Sequence, residues 1–329
     1  MSDVMCADSI ESIRLASFNF AFSQLCDLST SFCTVFLSVY ALFEIWKRTT
    51  FQTSTKILLV LNLFYVNLYQ IVYGTEVMGV LYKHFFMRNS ACILLKKEEN
   101  CAFVFKTLMC AASGTIFCQS GLIFERTCAT FVKRYEGRKS VRIGVAIALL
   151  VAFCSSLTGY LIVWDDPLDQ AVLACYVFPK QSNARSMNYF FVCTAISLFN
   201  LTASIVLKKY NKRSEYHTRF KIGARFHKRE VIESTGTVCF LTFTQFIFIF
   251  IYAFGVSALK SIRPMIDPQT YYFWNVWLYT VPLIAMTFPL FLLYRIRKTR
   301  FQRSQKIIEA WNTKQTQDDH LNQIANMWK

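Results

Sequence analysis

Residues 143–164 read IGVAIALLVAFCSSLTGYLIVW and contain no charged side chain. A helix of this length is about 33 Å long, and about 20 mostly apolar residues suffice to cross the roughly 30 Å of hydrocarbon in a bilayer. The composition of the whole chain agrees, because 54% of its 329 residues are apolar and only 17% are charged, whereas soluble domains carry about 25% charged residues. We therefore interpret the chain as a membrane protein.

Six other apolar stretches have comparable lengths, which gives seven predicted spans. They cover 28–45, 57–78, 102–131, 143–164, 188–207, 235–259 and 271–294. A membrane β-barrel would alternate apolar and polar residues, whereas QFIFIFIYAF, residues 245–254, is apolar at both parities. The predicted fold is an all-α membrane protein, a seven-transmembrane helix bundle over 27–294.

Basic residues in the connections predict the orientation of the bundle. The segments 46–56, 132–142, 208–234 and 295–329 hold 25 Lys and Arg residues, and those at the opposite face hold 9. Because cytoplasmic connections carry the excess of basic residues, we expect the N-terminus (1–26) outside the cell and the C-terminus inside. The segment 295–329 is then a cytoplasmic tail, and RIRKTRFQRSQKIIEAW within it predicts an amphipathic helix along the inner leaflet.

The net charge of +16 follows from the same bias. Basic cytoplasmic segments are attracted to anionic lipid, so membrane lipids are expected partners and nucleic acid is not. The four histidines form no metal-ligand cluster, and the sequence contains no CxxC, HExxH, P-loop or GxSxG motif. We therefore expect no metal, no cofactor and no enzymatic activity.

Four of the 12 cysteines, Cys6, Cys92, Cys101 and Cys175, fall in the predicted outer segments, where disulfides persist. Four cysteines allow three pairings. We favour a Cys101–Cys175 disulfide, which would tie the loop 165–187 over the bundle as a lid, although two free thiols are the alternative. Whether Cys6 pairs with Cys92 stays open.

The pair Glu125-Arg126 ends the third span, and Arg126 stands 25 positions after Cys101. This separation corresponds to about 38 Å of helix, so the charged pair and the cysteine lie at opposite membrane faces. An arginine at the inner membrane edge is costly unless it is paired, hydrated or extended toward the headgroups. We interpret the pair as a switch in which Glu125 holds Arg126 in one state, and a partner on the sixth helix or a G protein holds it in another. A snorkelling arginine is the simpler alternative.

Ionisable and aromatic residues near the predicted outer ends of the helices are candidates for a ligand pocket. Glu76 and Lys106 are charged groups within apolar spans. They either pair with each other, which we favour, or contact a polar ligand. Tyr73, Trp274 and Trp277 belong to the aromatic belt at the membrane interface, and one or two of them are candidates to line a pocket.

Three further residues within the spans carry expectations. Pro282 and Pro289 should kink the last helix, because proline lacks a backbone donor and clashes with the preceding turn. Gln245 in the sixth span is expected to form a hydrogen bond between helices.

The densest run of charge is KKYNKRSEYHTRFKIGARFHKRE, residues 208–230. Its Lys212, Arg213, Arg219 and Arg225 are candidate contacts for an acidic surface of a G protein. Phospholipid headgroups are the alternative partner, and both interactions can hold together.

Several long segments of the chain resemble one receptor family. WDDPLDQAVLACYVFPK (164–180), YNKRSEYHTRFKIGARFHKREVIESTGTVCFL (210–241) and YTVPLIAMTFPLFLLYRIR (279–297) are similar to the nematode serpentine receptors of class alpha, the Sra family. The resemblance implies a G-protein-coupled chemosensory receptor in the plasma membrane of sensory neurons, which detects a small environmental molecule and signals through a heterotrimeric G protein.

Compared with rhodopsin-like receptors, the likeness is partial. Glu125-Arg126 matches their acidic-Arg pair, but Thr127 follows in place of an aromatic residue, and Phe288 precedes Pro289 where the NPxxY motif has asparagine. Two other functions stay open as alternatives: a seven-helix ligand-gated cation channel of inverted topology, which the charge bias disfavours, and a membrane scaffold that does not signal.

Overall fold

The computed structural model describes residues 17–48, 51–87, 95–132, 135, 137–179, 181–216, 222–312, 321–322 and 325–326. Within these residues, seven helical segments are long and apolar enough to cross a membrane. The predicted fold class is confirmed: the chain is a multi-pass membrane protein built as a seven-helix bundle.

Eight α-helices, a short 3-10 helix (Arg263–Met265) and one small sheet are the main elements of the described structure. The helices are α1 (Phe18–Arg48), α2 (Thr53–Phe86), α3 (Glu98–Phe131), α4 (Arg138–Ile162), α5 (Asn183–Tyr216), α6 (Ile222–Ile262), α7 (Pro268–Trp277) and α8 (Val281–Asn312). The sheet pairs β1 (Lys96–Lys97) with β2 (Ala171–Val172) in antiparallel orientation. The helices extend beyond the apolar stretches because Lys, Arg and Glu are good helix formers and can continue a helix past the hydrocarbon.

Helix α3 lies at the centre of the bundle and packs against α2, α4, α5 and α6. Two glycines of α4 allow close approach to its neighbours. A Cβ at Gly144 would lie 2.8 Å from the Cα of Ser54, and a Cβ at Gly159 would lie 2.7 Å from the carbonyl oxygen of Lys106. Small residues at such contacts let membrane helices pack backbone against backbone.

The seventh span is divided into two helices. The sequence predicts one helix over 271–294 that is kinked by its prolines, whereas α7 ends at Trp277 and α8 begins at Val281. Pro282 occupies the second position of α8, where its missing N–H breaks no helical hydrogen bond. Pro289 lies inside α8. The interruption therefore precedes the prolines.

Hydrogen bonds from neighbouring helices hold the interruption in place. Thr280 Oγ1 donates to the carbonyl oxygen of Phe248 in α6 at 2.8 Å. Gln70 Nε2 of α2 donates to the carbonyl oxygen of Pro282 at 2.7 Å. Non-helical backbone at membrane depth is tolerated where the surrounding protein supplies such bonds.

Helix α8 continues from the last span through the tail to Asn312, where the sequence predicts a separate amphipathic helix. No glycine or proline lies between residues 290 and 312 to end the helix. Two contacts tie its second half to the bundle. Arg303 forms an ion pair with Glu233 of α6, and Arg297 Nη2 donates to the hydroxyl of Tyr40 in α1 at 3.0 Å.

Candidate functional site

The loop between α4 and α5 covers one end of the bundle, which we call the disulfide end. We call residues 163–179 the lid. Cys175 of the lid forms a disulfide with Cys101 at the start of α3, with the two Cα atoms 4.8 Å apart. Strand β2 of the lid pairs with β1 so that Val172 lies opposite Lys96. Cys6 and Cys92 both lie outside the described residues.

Glu76 anchors the lid. Its carboxylate lies 3.1 Å from Lys96 Nζ and accepts a hydrogen bond from the backbone N–H of Cys175 at 3.2 Å. Lys106 instead places its ammonium 4.6 Å from the ring centroid of Tyr160 in α4. The structure therefore gives Glu76 and Lys106 different partners, and the pairing that the sequence favours is not formed.

A cavity of about 230 Å³ lies beneath the lid. It is bordered by α1, α2, α5, α6, α7 and the interruption before α8, and we call it the tyrosine cavity. Its aromatic lining consists of Phe20, Tyr73, Tyr176, Phe178, Tyr252, Tyr271 and Tyr279. Five of these seven rings are tyrosines in a chain with 32 Phe and 16 Tyr. The lining therefore favours rings that carry a hydroxyl.

The predicted pocket residues are only partly brought together at this cavity. Tyr73 lines it. Trp274 and Trp277 lie outside its lining and are 52% and 40% exposed, and Trp277 Nε1 donates to Asn19 Oδ1 at 3.1 Å. Exposure of these two rings on the bundle surface agrees with the aromatic belt.

The tyrosine rings contact one another around the cavity. The ring centroid of Tyr73 lies 5.2 Å from that of Tyr176 and 5.7 Å from that of Tyr279. The Tyr279 hydroxyl lies 2.7 Å from the hydroxyl of Tyr69 in α2. Tyr176 donates to Gln24 Oε1 of α1 at 3.0 Å. These contacts fix the orientation of rings from α2, the lid and the interruption.

Asp27 of α1 also lines the tyrosine cavity, although the sequence does not predict this role. Its Oδ2 accepts a hydrogen bond from the hydroxyl of Tyr73 at 2.8 Å. Asp27 stands one position before the first predicted span, which begins at residue 28, and is not among the predicted pocket residues. The preceding run SFNFAFSQLC, residues 17–26, is compatible with a helix and could have extended the span to include it.

At the opposite end of the bundle, which we call the Arg126 end, Glu125 and Arg126 are buried with 0% and 1% of their side chains exposed. Arg126 Nε and Nη2 each donate to the Glu125 carboxylate at 2.6 Å. A snorkelling arginine would extend to the headgroups, so this arrangement differs from the simpler alternative. Burial of a charge requires pairing and hydrogen bonding, which Glu125 begins to supply.

Arg126 also connects three helices. Its Nη1 donates to Ser234 Oγ of α6 at 2.7 Å. Its Nη2 donates to Gln52 Oε1 at 3.0 Å, just before α2, and to Thr55 in the first turn of α2. The sixth-helix partner that the sequence left unnamed is therefore a hydroxyl, while the adjacent Glu233 pairs with Arg303.

Hydroxyl groups complete the hydrogen bonds of the Glu125 carboxylate. It accepts from Ser54 Oγ at 2.5 Å and from the Tyr135 hydroxyl at 3.1 Å, and Ser140 of α4 donates to Ser54 at 2.8 Å. Burial raises the pKa of Tyr135 above its ordinary value, so this hydroxyl stays protonated at neutral pH. The carboxylate thus has donors from α2, α3 and the connection to α4.

The basic stretch 208–234 is mostly helical, because α5 and α6 extend into it from both sides. Lys212 and Arg213 are exposed near the end of α5. Arg219 lies outside the described residues, and Arg225 lies in α6 where only the backbone is described.

The whole chain is similar to known proteins. The family model described as "Serpentine type 7TM GPCR chemoreceptor Sra" matches residues 1–328. The chain is 56% identical over 329 residues to the Caenorhabditis elegans protein "Serpentine receptor class alpha-8", and 48% identical to "Serpentine receptor class alpha-6" of the same organism. Both alignments cover 100% of each chain. The similarity therefore includes the lid, the tyrosine cavity and the Arg126 end.

Proposed function

The chain belongs to the Sra family of seven-helix serpentine chemoreceptors, and we propose that it detects a small molecule in the tyrosine cavity and signals to a heterotrimeric G protein at the Arg126 end. Membership of that family makes it a chemosensory receptor. We place it in the plasma membrane of sensory neurons, and we propose that it acts by a change of conformation without catalysing a reaction.

The observation that carries this proposal is that α6 reaches both sites, as α2 also does through Tyr73 and Thr55. Tyr252 of α6 lines the tyrosine cavity, and Ser234 of the same helix accepts the hydrogen bond from Arg126. The two residues are separated by about 27 Å of helix. A ligand with different affinity for two positions of α6 would shift the population between them, and with it the contact of Arg126.

Residues at the Arg126 end supply the chemistry for a G-protein contact. Loss of the Ser234 contact would free one guanidinium N–H from α6 and make it available to an acceptor on the partner. Lys212 and Arg213 are exposed on the same side of the membrane as Arg126, where they would attract an acidic partner surface. We propose the same role for Arg219 and Arg225.

We propose that the disulfide end faces the outside of the cell. Two features support this orientation. The Cys101–Cys175 disulfide requires an oxidising compartment, and the basic excess lies in the connections at the Arg126 end. Epitope tags at the two termini test the orientation. An N-terminal tag should be stained in intact cells and a C-terminal tag only after permeabilisation; the reverse pattern contradicts the proposal and favours the channel alternative.

Nucleotide exchange on a co-expressed G protein, measured in membranes without a ligand, tests the role of Arg126. Ser234→Ala should raise basal exchange because it removes the contact between Arg126 and α6. Arg126→Gln should abolish exchange at equal surface amounts of receptor. Arg185→Gln at the disulfide end, where Arg185 pairs with Asp165, is the matched control and should leave exchange unchanged. If Arg126→Gln supports the same rate of nucleotide exchange as the wild type, the proposal is contradicted.

Charge reversal tests the basic contacts separately. The combined change of Lys212, Arg213, Arg219 and Arg225 to Glu should abolish exchange while surface delivery continues. If exchange is unchanged, these four residues do not contact the G protein.

A further inference from the structure

The tyrosine cavity contains a carboxylate with unused capacity to accept hydrogen bonds. Asp27 lines the cavity, and the hydroxyl of Tyr73 is its hydrogen-bond donor at 2.8 Å. A carboxylate accepts up to about four hydrogen bonds. Among the residues that the structure describes, no Lys, Arg or His forms an ion pair with Asp27. The carboxylate therefore presents negative charge to the cavity without a neutralising side chain.

The rings around Asp27 have the properties of a cation site. Tyr73, Tyr176 and Tyr279 line the same cavity as Asp27, and their ring centroids lie 5.2 to 6.3 Å from one another. Tyr252 lies 5.7 Å from Tyr279. Faces of tyrosine rings attract ammonium groups, and several rings around one cation form an aromatic cage. The hydroxyls provide acceptors for an N–H group as well.

The remaining charge at the cavity does not favour an anion. Lys260, at the end of α6, is the other charged residue in the described lining, and it is exposed to solvent. An anionic ligand would meet the Asp27 carboxylate and have only a solvent-screened ammonium to compensate. A neutral ligand would leave the carboxylate covered and unpaired, which is costly. A cation can form an ion pair with the carboxylate and cation–π interactions with the rings.

We propose that the ligand of the tyrosine cavity is a small organic cation, an amine or quaternary ammonium compound whose charged nitrogen lies between Asp27 and the tyrosine rings. This inference rests on the proposed function, because it assigns the chemical class of the ligand for the proposed ligand site. The cavity volume of about 230 Å³ limits the compound to a small molecule.

The test is thermal stabilisation of the purified full-length receptor in detergent, without a G protein. Choline, tetramethylammonium and phenylethylamine are the cationic probes, and 3,3-dimethylbutan-1-ol is the uncharged carbon analogue of choline. At least one cation should stabilise the wild type, and the carbon analogue should not. Absence of stabilisation by all three cations up to about 10 mM, beyond the usual range of specific binding, overturns the proposal, as does equal stabilisation by choline and its carbon analogue.

Variants at Asp27 assign the effect to this carboxylate. Asp27→Asn should weaken binding of the stabilising cation by about 30-fold or more, since loss of one member of a buried charge pair costs at least about 2 kcal/mol. Asp169→Asn in the lid removes the same charge from an exposed position outside the cavity lining and should not change binding. Equal affinity of wild type and Asp27→Asn overturns the proposal.

A second pair of variants covers the case in which Asp27→Asn does not fold. Tyr176→Phe keeps the ring and removes the hydroxyl that contacts Gln24, so cation binding should change by less than about fivefold. Tyr176→Leu removes the ring and should weaken binding by about tenfold or more. If both variants bind the cation equally, the aromatic cage is not the site.

The outcomes separate this inference from the proposed function. Binding of a cation that depends on Asp27, together with unaltered nucleotide exchange in Arg126→Gln, leaves the ligand class standing and rejects the coupling mechanism. Loss of exchange in Arg126→Gln, together with binding of neutral compounds alone, rejects the cation and leaves the receptor function standing.

Discussion

The buried pair of Glu125 and Arg126 has a large energetic consequence at the scale of single residues. Arg126→Gln leaves the Glu125 carboxylate charged and buried without its cation, and Glu125→Gln leaves the guanidinium in the same position. Each single change should lower the free energy of unfolding by about 3–5 kcal/mol. The double change removes both charges and should recover part of this loss. Denaturation of the purified receptor in detergent measures all three.

An exposed ion pair is the control for this prediction. Arg185 and Asp165 form an ion pair with 36% and 60% of their side chains exposed. The two single changes and the double change at Arg185 and Asp165 should give an interaction free energy of no more than about 1 kcal/mol. If the double change at Glu125 and Arg126 costs as much stability as the two single changes added together, the two charges do not stabilise each other.

The same substitution should have opposite effects on stability at two buried glutamines. Gln245 of α6 is 3% exposed, and both its amide atoms lack a hydrogen-bond partner among the described residues, so the predicted interhelical bond is wrong. Gln70 accepts from Ser31 at 2.7 Å and donates to the Pro282 carbonyl oxygen. Gln245→Met should therefore raise the unfolding free energy by about 1–2 kcal/mol, and Gln70→Met should lower it by about 1–3 kcal/mol. A loss of stability in Gln245→Met would contradict this account.

Individual residues of the site differ in how far the sequence predicts them. Arg126 is recognisable because a charge at a predicted membrane edge is rare. The partner of Glu76 is not, because Lys96 comes from a segment outside the spans, and its position depends on how the lid folds. The sequence does not predict Asp27 as a pocket residue because hydropathy starts the first span after this charge. A helix can nevertheless include a charged residue that faces the protein interior.

Helix packing at α4 gives a prediction at the scale of the element. A Cβ at Gly159 would meet the backbone of Lys106 in α3, with the carbonyl oxygen at 2.7 Å and Cα at 2.9 Å. Backbone atoms cannot rotate away as a side chain can, so Gly159→Ala should lower the unfolding free energy by about 1–3 kcal/mol.

The control for Gly159 lies in α2. A Cβ at Gly79 would meet no atom of the described residues within 4 Å outside its own helix. Gly79→Ala should therefore stabilise the receptor by up to about 1 kcal/mol, because alanine favours a helix interior. Thermal unfolding of both variants, compared with the wild type, measures the difference. Equal stability of the two would mean that α3 and α4 do not pack this closely.

The seventh span shows which features of an element the local sequence does not predict. Its apolar length is sufficient to predict a span, and its prolines predict distortion. The interruption at residues 278–280 depends on acceptors and donors from α2 and α6, including the bond from Thr280 to Phe248. These partners are distant in the sequence, so local rules place the distortion at the prolines.

For the whole molecule, the number of helices follows from the apolar stretches because each must bury its backbone polar groups in hydrocarbon. Which helices meet around a cavity depends on packing between distant segments. The tyrosine cavity thus combines α1, α2, α5, α6, α7, the lid and the interruption before α8, and the sequence predicts one of its lining residues, Tyr73, as a pocket candidate.

The lid gives the prediction that belongs to the whole molecule. Removal of the disulfide by the combined change Cys101→Ser and Cys175→Ser leaves the lid held by noncovalent contacts, among them the β1–β2 pairing, the Glu76 contacts and the hydrogen bond from Tyr176 to Gln24. Because these weaker bonds form at the disulfide end, hydrogen exchange should accelerate in β2 and around Tyr176. Exchange at the Arg126 end, where the guanidinium is held by α2, α3 and α6, should change little.

The double variant Cys118→Ser and Cys193→Ser is the control for this experiment, since both thiols are free and buried in the bundle. It should leave exchange in the lid unchanged. Equal acceleration at both ends of the disulfide variant would show that the bundle unfolds as one unit, so that the lid is not an independent element. Acceleration confined to the disulfide end would show that the lid can loosen while the Arg126 contacts persist. A signal from the cavity would then have to reach Arg126 through the helices that contact both, α2 and α6.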